Sequence, residues 1–432
     1  MKKMMAVVLV LGLAALLQAQ PEVEWGGLFY SYTFFWQNAD FNKNIADADN
    51  YTYMHGDVHA LADFGEGVSA FVKVGAWGEY GMHPVWGTDI DGNMDPRVGL
   101  LEAYLKIDNL FDYPISIKVG KQNVLYGDGA VMFDGGEDGF LGTKVNLAFD
   151  PISWDFFYYR LAESGGIELV ATGADSIPGD LNLMGTYLTL GLMEGKMNLQ
   201  GYFFMRMQNN NEAEDKPMWF GARTEGAPIE GLNFKAEVTM MGGKKDYTDE
   251  AVTDMNYKGM HAMVGLDYAP ASLPVSFGGA YVMFSGDDDP NDADNKLYVA
   301  ATDAPYAFGF YKSWPGFGPA HTMATPFAFA CVADWDPVMV NLNVINGHLG
   351  FNTGPLSLRG DFFMYARNKV GENEESALGN EIALLASYNY RDALTVGFTV
   401  GYWMPGKVQK ATVGDDNASA MLGGSIFFAK GF

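Results

Sequence analysis

Apolar and polar residues alternate with a period of two along most of the chain. Leu199, Gly201, Phe203 and Met205 interleave with Gln200, Tyr202, Phe204 and Arg206. Phe234, Ala236, Val238 and Met240 do so with Lys235, Glu237 and Thr239, and Ala262, Val264, Leu266 and Tyr268 with His261, Met263, Gly265 and Asp267. One face of each stretch is apolar and the other mixed, the pattern of a half-buried β-strand. Read this way, the chain predicts about eighteen strands. Their cores fall at 23–36, 51–64, 68–77, 98–107, 115–126, 139–149, 152–161, 181–190 and 197–206, then at 218–225, 232–241, 259–268, 274–284, 338–349, 356–367, 379–390, 394–404 and 418–428.

A water-soluble sandwich would alternate in the same way, so connection lengths decide the class. Gly65-Glu66-Gly67, Asp150-Pro151, Asn352-Thr353-Gly354-Pro355 and Arg391-Asp392-Ala393 are short. They take turns with long connections at 37–50, 78–97, 127–138, 242–258 and 285–335. Short periplasmic turns alternating with long extracellular loops are the mark of a transmembrane antiparallel β-barrel, an all-β fold class. Closure is demanded in hydrocarbon, where an open strand edge would leave backbone donors and acceptors unpaired. An even strand count places both ends on the periplasmic side. The last strand closes on a terminal Phe432, a feature that resembles the signal read by the barrel assembly machinery.

Composition agrees. The chain holds 30 Phe, 23 Tyr, 9 Trp and 53 Gly at a mean hydropathy of −0.04, and no stretch of eighteen uninterrupted apolar residues. That combination disfavours helical spans. Lys2 and Lys3 followed by an apolar run from Ala6 to Leu17 and small residues near Ala19 predict a secretory signal peptide over 1–19, with the barrel over 20–432. Cys331 is the only cysteine, so neither an intramolecular disulfide nor a cysteine-clustered metal site is available. The formal charge of −26 becomes −28 without Lys2 and Lys3, which argues against nucleic acid as a partner.

The two signs are distributed unequally. Acidic residues gather in predicted loops, as at 287–294 and at Glu372, Glu374 and Glu375, whereas Arg160, Arg206, Arg223, Arg359 and Arg367 fall within or at the ends of strands. A charge on the lipid face costs about 2–4 kcal/mol at mid-membrane, so strand cations belong in the lumen. The expected pore lining comprises these arginines with Lys118, Lys121, Gln122, Lys235 and Asp361. It forms a basic constriction for anionic solutes, or pairs with Glu102, Glu237, Asp267 and Asp361 to brace the wall. Both fit the pattern. Tyr104, Tyr202, Trp219 and Tyr365 are candidates for stacking on sugars, with wall packing as the alternative.

Asp287, Asp289, Asn291 and Asp292 offer oxygen ligands for calcium within 285–295. Their spacing is not that of an EF-hand, because Asp292 replaces the turn glycine and Tyr298 stands where the closing Glu belongs. None of the six histidines forms a zinc-like HExxH pair, and no nucleophile motif supports an enzyme.

The stretch from Gly99 to Asp138 carries Glu102-Ala103-Tyr104-Leu105, then Val119-Gly120-Lys121-Gln122 and Tyr126-Gly127-Asp128-Gly129. It resembles the GRQ and YGDG segment of the alginate-export family of outer-membrane porins. Phe157-Tyr158-Tyr159, the acidic run from Ser285 to Asp292 and Gly318-Pro319-Ala320-His321 fit the same family. The resemblance implies an eighteen-stranded barrel in the outer membrane that passes a polysaccharide-like solute passively. Lys121 replaces the arginine of the motif, keeping its charge and losing the bidentate fork for a carboxylate. The expected molecule is a monomeric channel for hydrophilic solutes, anionic glycans among them, with loop 285–335 as a gate and no cofactor beyond the loop calcium. A general diffusion porin, a plugged barrel that binds partners at the surface and a barrel-wall hydrolase are the competing readings.

Overall fold

A computed structural model describes residues 21–38, 42–45, 49–127, 129–133, 139–162, 180–209, 213–249, 251–289, 292–302, 341–371, 374–391 and 393–432, excluding 81–96. The predicted signal peptide and most of the 285–335 loop lie outside these residues.

In chain order the strands are β1 (Glu22–Gln37), β2 (Asp49–Asp63), β3 (Val68–Tyr80), β4 (Arg97–Ile107), β5 (Ile115–Gln122), β6 (Leu125–Tyr126), β7 (Met132–Phe133), β8 (Phe140–Phe149), β9 (Ile152–Ala162), β10 (Leu181–Leu192) and β11 (Met197–Asn209). They continue as β12 (Ala213–Ile229), β13 (Leu232–Tyr247), β14 (Met255–Tyr257), β15 (Met260–Tyr268), β16 (Val275–Phe284), β17 (Asp294–Asn295), β18 (Leu342–Thr353), β19 (Leu356–Arg367), β20 (Ala377–Tyr390), β21 (Leu394–Pro405) and β22 (Met421–Gly431). A short helix, α1 (Lys407–Val413), precedes the last strand.

Eighteen of these strands make the wall. Each pairs antiparallel with its neighbour in the chain, and β22 returns to pair with β1 from Leu28↔Gly431 to Gln37↔Leu422. The ring is therefore closed, as the need to pair every backbone group in hydrocarbon requires. Tiny strands β6, β7, β14 and β17 lie in connections at the long-loop end. At the other end the turns are tight, as at 65–67, 150–151 and 354–355.

Alternation sorts the side chains by face. Val58, Val72, Leu141, Phe156, Phe220, Val264, Ile345, Ile382 and Phe428 are exposed around the outside, a continuous apolar surface that suits lipid. Their strand neighbours point inward, and this inner set contains nearly all the buried charge: Asp57, Glu102, Arg223, Glu237, Asp361 and Glu381. The predicted fifth strand, 115–126, is shorter than expected. It stops at Gln122, and the chain then turns into the barrel.

The seam depends on a close approach at Gly27. Gly27 donates its amide to the Phe432 carbonyl at 2.8 Å and accepts the Phe432 amide at 3.0 Å. A Cβ on Gly27 would run into the Phe432 ring and come within 2.5 Å of the Asp57 carbonyl. Gly27→Val should therefore destabilise the folded barrel by about 1–3 kcal/mol, the usual range for overpacking. A lowered urea midpoint for loss of heat-modifiable gel mobility is the measurement, and an unchanged midpoint would show that the seam tolerates the side chain.

Candidate pore lining

The inner face of β4, β5 and β8 carries a row of lysines. Lys106 pairs in register with Lys118, and Lys118 with Lys144. Like charges directly opposite one another weaken a sheet, so such a row carries a structural cost. Three neighbours reduce it. Lys106 meets Asp108 at 2.7 Å and Lys144 meets Asp155 at 3.6 Å, while the Lys118 ammonium sits 3.7 Å above the Tyr104 ring. Phe71 stacks on the other side of Tyr104, at 5.1 Å between ring centres. This basic strip lies in the half of the barrel nearer the tight turns, and its side chains are partly open to the lumen.

Other inward cations are bound up in ion pairs. Arg223 donates to Gln200 at 2.7 Å and to Glu225 at 2.6 Å, with Glu237 at 3.7 Å. Tyr202 completes this group by donating to Glu237 at 2.7 Å. Lys235 faces Glu225 in register. Arg359 grips Asp361 with two nitrogens at 2.9 and 3.1 Å, and Asn346 donates to the same carboxylate at 3.1 Å. The chain of contacts runs on through His348 to Asp267, at 2.6 Å. On β2 and β3, Asp57 is buried between His55 at 3.1 Å and Lys73 at 3.6 Å. These groups cross-brace neighbouring strands, because a buried carboxylate without a cation would be costly.

Two segments from the long-loop end fold into the lumen and meet there. Residues 124–132 bring Val124, Tyr126, Val131 and Met132 against Phe157, Tyr187 and Phe204 of the wall. Residues 297–302 come from the other side. Tyr298 donates its hydroxyl to the Ala130 carbonyl at 2.9 Å, and the Ala301 amide donates to the Val131 carbonyl at 2.7 Å. Trp219 fixes the second segment to the wall by donating to the Val299 carbonyl at 2.7 Å. The result is a tied inner layer over β9 to β16, leaving the lysine strip on the adjoining wall.

Comparison with known proteins then becomes decisive. The Alginate export family model matches residues 27–311, about two thirds of the sequence. The chain belongs to the alginate export family. No curated protein matches the sequence. Among solved structures, the chain is similar to OccAB1 of Acinetobacter baumannii, with a TM-score of 0.61 at 10% identity over 96% of this chain and 99% of that one. It is also similar to OccK2 (OpdF) of Pseudomonas aeruginosa in complex with glucuronate, with a TM-score of 0.56 at 9% identity over 95% and 98%. OpdK of the same organism, with vanillate, gives 0.57 at 9% over 95% and 98%. At such identities the likeness concerns the fold. This alginate export family member is thus an eighteen-stranded outer-membrane channel, its tight turns periplasmic and its long loops extracellular.

Within this channel, the expected lining residues divide. Lys118, Gln122, Arg206, Arg223, Lys235, Arg359, Asp361, Arg367, Tyr104 and Tyr202 lie on the inward face. Arg206 reaches Asp215 at 4.0 Å and the Trp219 ring, and Arg367 reaches Glu374 at 3.8 Å at the extracellular rim. Tyr202, Trp219 and Tyr365 are buried among other side chains, which withholds their ring faces from a passing solute. Two residues need correction. Lys121 shares the outward face with exposed Val119 and Leu141 and donates to the Leu100 carbonyl at 2.7 Å. Arg160 follows exposed Phe156 and Tyr158 on the outside of β9 and pairs with Asp180 at 3.2 Å. A strand reverses face at every residue, so neither can line the pore. Lys106 and Lys144 enter the lining instead; only the register of β4, β5 and β8 reveals them.

In the acidic loop, Asn291 lies outside the described residues. Lys296 bonds Asp288 at 2.5 Å and reaches Asp292 at 3.7 Å, and Lys258 bonds Asp294. These lysine hydrogen bonds hold the Asp288 and Asp294 carboxyls below the ordinary carboxylate value. Among the described residues no three His, Cys, Asp or Glu side chains converge as a metal cluster.

Two outcomes test this arrangement. Arg223→Ala leaves Glu237 buried beside a lost cation and should cost about 3–5 kcal/mol in a urea titration, with much of it recovered when Glu237→Gln is added. A cost below about 0.5 kcal/mol would mean the pair is solvated. Tyr298→Phe removes one hydrogen bond of about 1 kcal/mol. Limited proteolysis within 285–302 should then speed up about fivefold, while barrel mobility on gels stays unchanged.

Proposed function

We propose that this barrel is a passive channel with a preference for anionic hydrophilic solutes, acidic oligosaccharides foremost. The observation that carries the reading is the in-register row Lys106, Lys118 and Lys144. Three ammonium groups on neighbouring strands are a poor way to build a wall and a good way to attract a string of carboxylates. Asp108 and Asp155 each engage an end of the row from one side, and its middle member rests on a ring. A solute carboxylate can approach the row from the lumen, to which all three ammonium groups are partly exposed.

Half-buried rings of Tyr104 and Phe71 beside this row supply flat apolar surface for sugar faces. Family membership favours a glycan, and the glucuronate bound to the structurally similar OccK2 is a sugar acid of the same charge type. Flux follows the concentration gradient, since no energy-coupling element is implied. Lys121, which stands in for the motif arginine, is on the outside of the wall and takes no part in this recognition.

The test is current block in a planar bilayer by an oligouronide. Block should be concentration-dependent, and Lys118→Gln should weaken it about tenfold, equivalent to about 1.4 kcal/mol. Equal block of the variant would remove the lysine row from solute recognition. Absence of block with a steady current would leave a general diffusion pore, and absence of current a plugged barrel.

A further inference from the structure

The outward face ends its apolar run on a cation along several neighbouring strands. At the extracellular ends of β5 and β9, Lys121 follows exposed Val119 and Arg160 follows exposed Tyr158. On β12 and β13, Lys216 and Lys244 stand above exposed Phe220 and Met240. Lys258, exposed two residues before Met260 of β15, continues the series, whereas among the described residues other outward runs end on neutral groups, as at Gln37, Asn343 and Asn380. The basic sector therefore runs from β5 to the start of β15.

Its geometry is paired. Lys121 and Arg160 flank Leu141 from its two sides in register, so they stand two strand spacings, about 10 Å, apart. Lys216 and Lys244 face one another directly. Like charges so placed repel, which an anion between them would relieve. Carboxylates lie one residue pair farther from the hydrocarbon: Asp180 beside Arg160, Glu214 bonded to Lys216, and Asp246 at 2.5 Å from Lys244. These are exposed pairs, which bind weakly and exchange readily. Cations thus sit nearest the apolar boundary, at the height where lipid phosphates lie.

We propose that this rim binds a phosphorylated glycolipid of the outer leaflet, with one phosphate seated at Lys121 and Arg160 and another at Lys216 and Lys244. Arg160 offers a fork that matches phosphate, and the lysines act as point charges. Tyr158, which donates to Asn182 at 2.7 Å just below Arg160, places an aromatic ring at the interface, where such rings concentrate. This inference does not depend on which solute the lumen carries.

Native mass spectrometry of the full-length protein in detergent tests it, with bisphosphorylated lipid A, monophosphorylated lipid A and phosphatidylglycerol as separate probes. The bisphosphorylated lipid should be retained best. Lys121→Gln with Arg160→Gln, and separately Lys216→Gln with Lys244→Gln, should each lower its bound fraction at least fivefold, and Arg160→Lys should lower it less than Arg160→Gln. Lys407→Gln, on α1 and away from this sector, should change nothing. Heat-modifiable gel mobility confirms that each variant is folded, and if one pair fails to fold the other decides. Unchanged retention by folded variants would overturn the proposal, as would equal retention of phosphatidylglycerol, which would point to unspecific attraction.

Discussion

Everything in this molecule follows from one constraint: backbone groups inside a bilayer have no water to bond. The pairing of β1 with β22 meets that constraint by joining the two ends of the sheet. Once the ring closes, strand alternation becomes a division between lipid and lumen. Each apolar residue that faces outward obliges its neighbours to face inward, and with eighteen strands the inward set is too large to pack on itself completely. The close approach of Phe432 to Gly27 shows how tightly the seam is built, since the terminal residue occupies space that any larger side chain would need.

The lumen spends its charge in two ways. Arg223 with Glu237 and Arg359 with Asp361 are buried or nearly so, and each carboxylate has at least one further donor, Tyr202 or Asn346. Such groups tie strands together and would be expensive to break. The row Lys106, Lys118 and Lys144 is different in kind. Lys106 and Lys144 meet carboxylates at its two ends, Lys118 sits over the Tyr104 ring, and all three are partly exposed to the lumen. The inner layer formed by 124–132 and 297–302 narrows the space beside it. Bracing thus occupies one stretch of the wall, and the attraction we propose belongs to another.

Much of the fold was legible in the chain because a period of two needs only local information. Each of the eighteen wall strands overlaps an expected one, although the fifth ends at Gln122 and the one expected at 338–349 is Leu342–Thr353, and the long and short connections sort as expected. What a single chain does not carry is register. Lys106, Lys118 and Lys144 are scattered along 39 positions, and only pairing of β4, β5 and β8 makes them neighbours. The inward fold of 124–132 was likewise hidden, because Val124, Leu125 and Tyr126 continue a strand-like pattern after the wall strand has ended. Facing was legible in principle. Lys118 and Lys121 are three apart and must lie on opposite sides of a strand, and Arg160 shares parity with the lipid-facing Phe156 and Tyr158. The cost of a charge in hydrocarbon argues for an inward position only at mid-membrane; at a strand's outer end that cost fades, and both cations sit there.

If the lysine row governs the open part of the lumen, that space is positive despite the acidity of the chain, and the reversal potential of the unmodified protein tests this directly. In a planar bilayer with a tenfold potassium chloride gradient, the account predicts a reversal potential of the sign set by chloride, diminishing as salt screens the lysine row. A potential of the sign set by potassium would contradict it, because the acidic loops would then govern the pore.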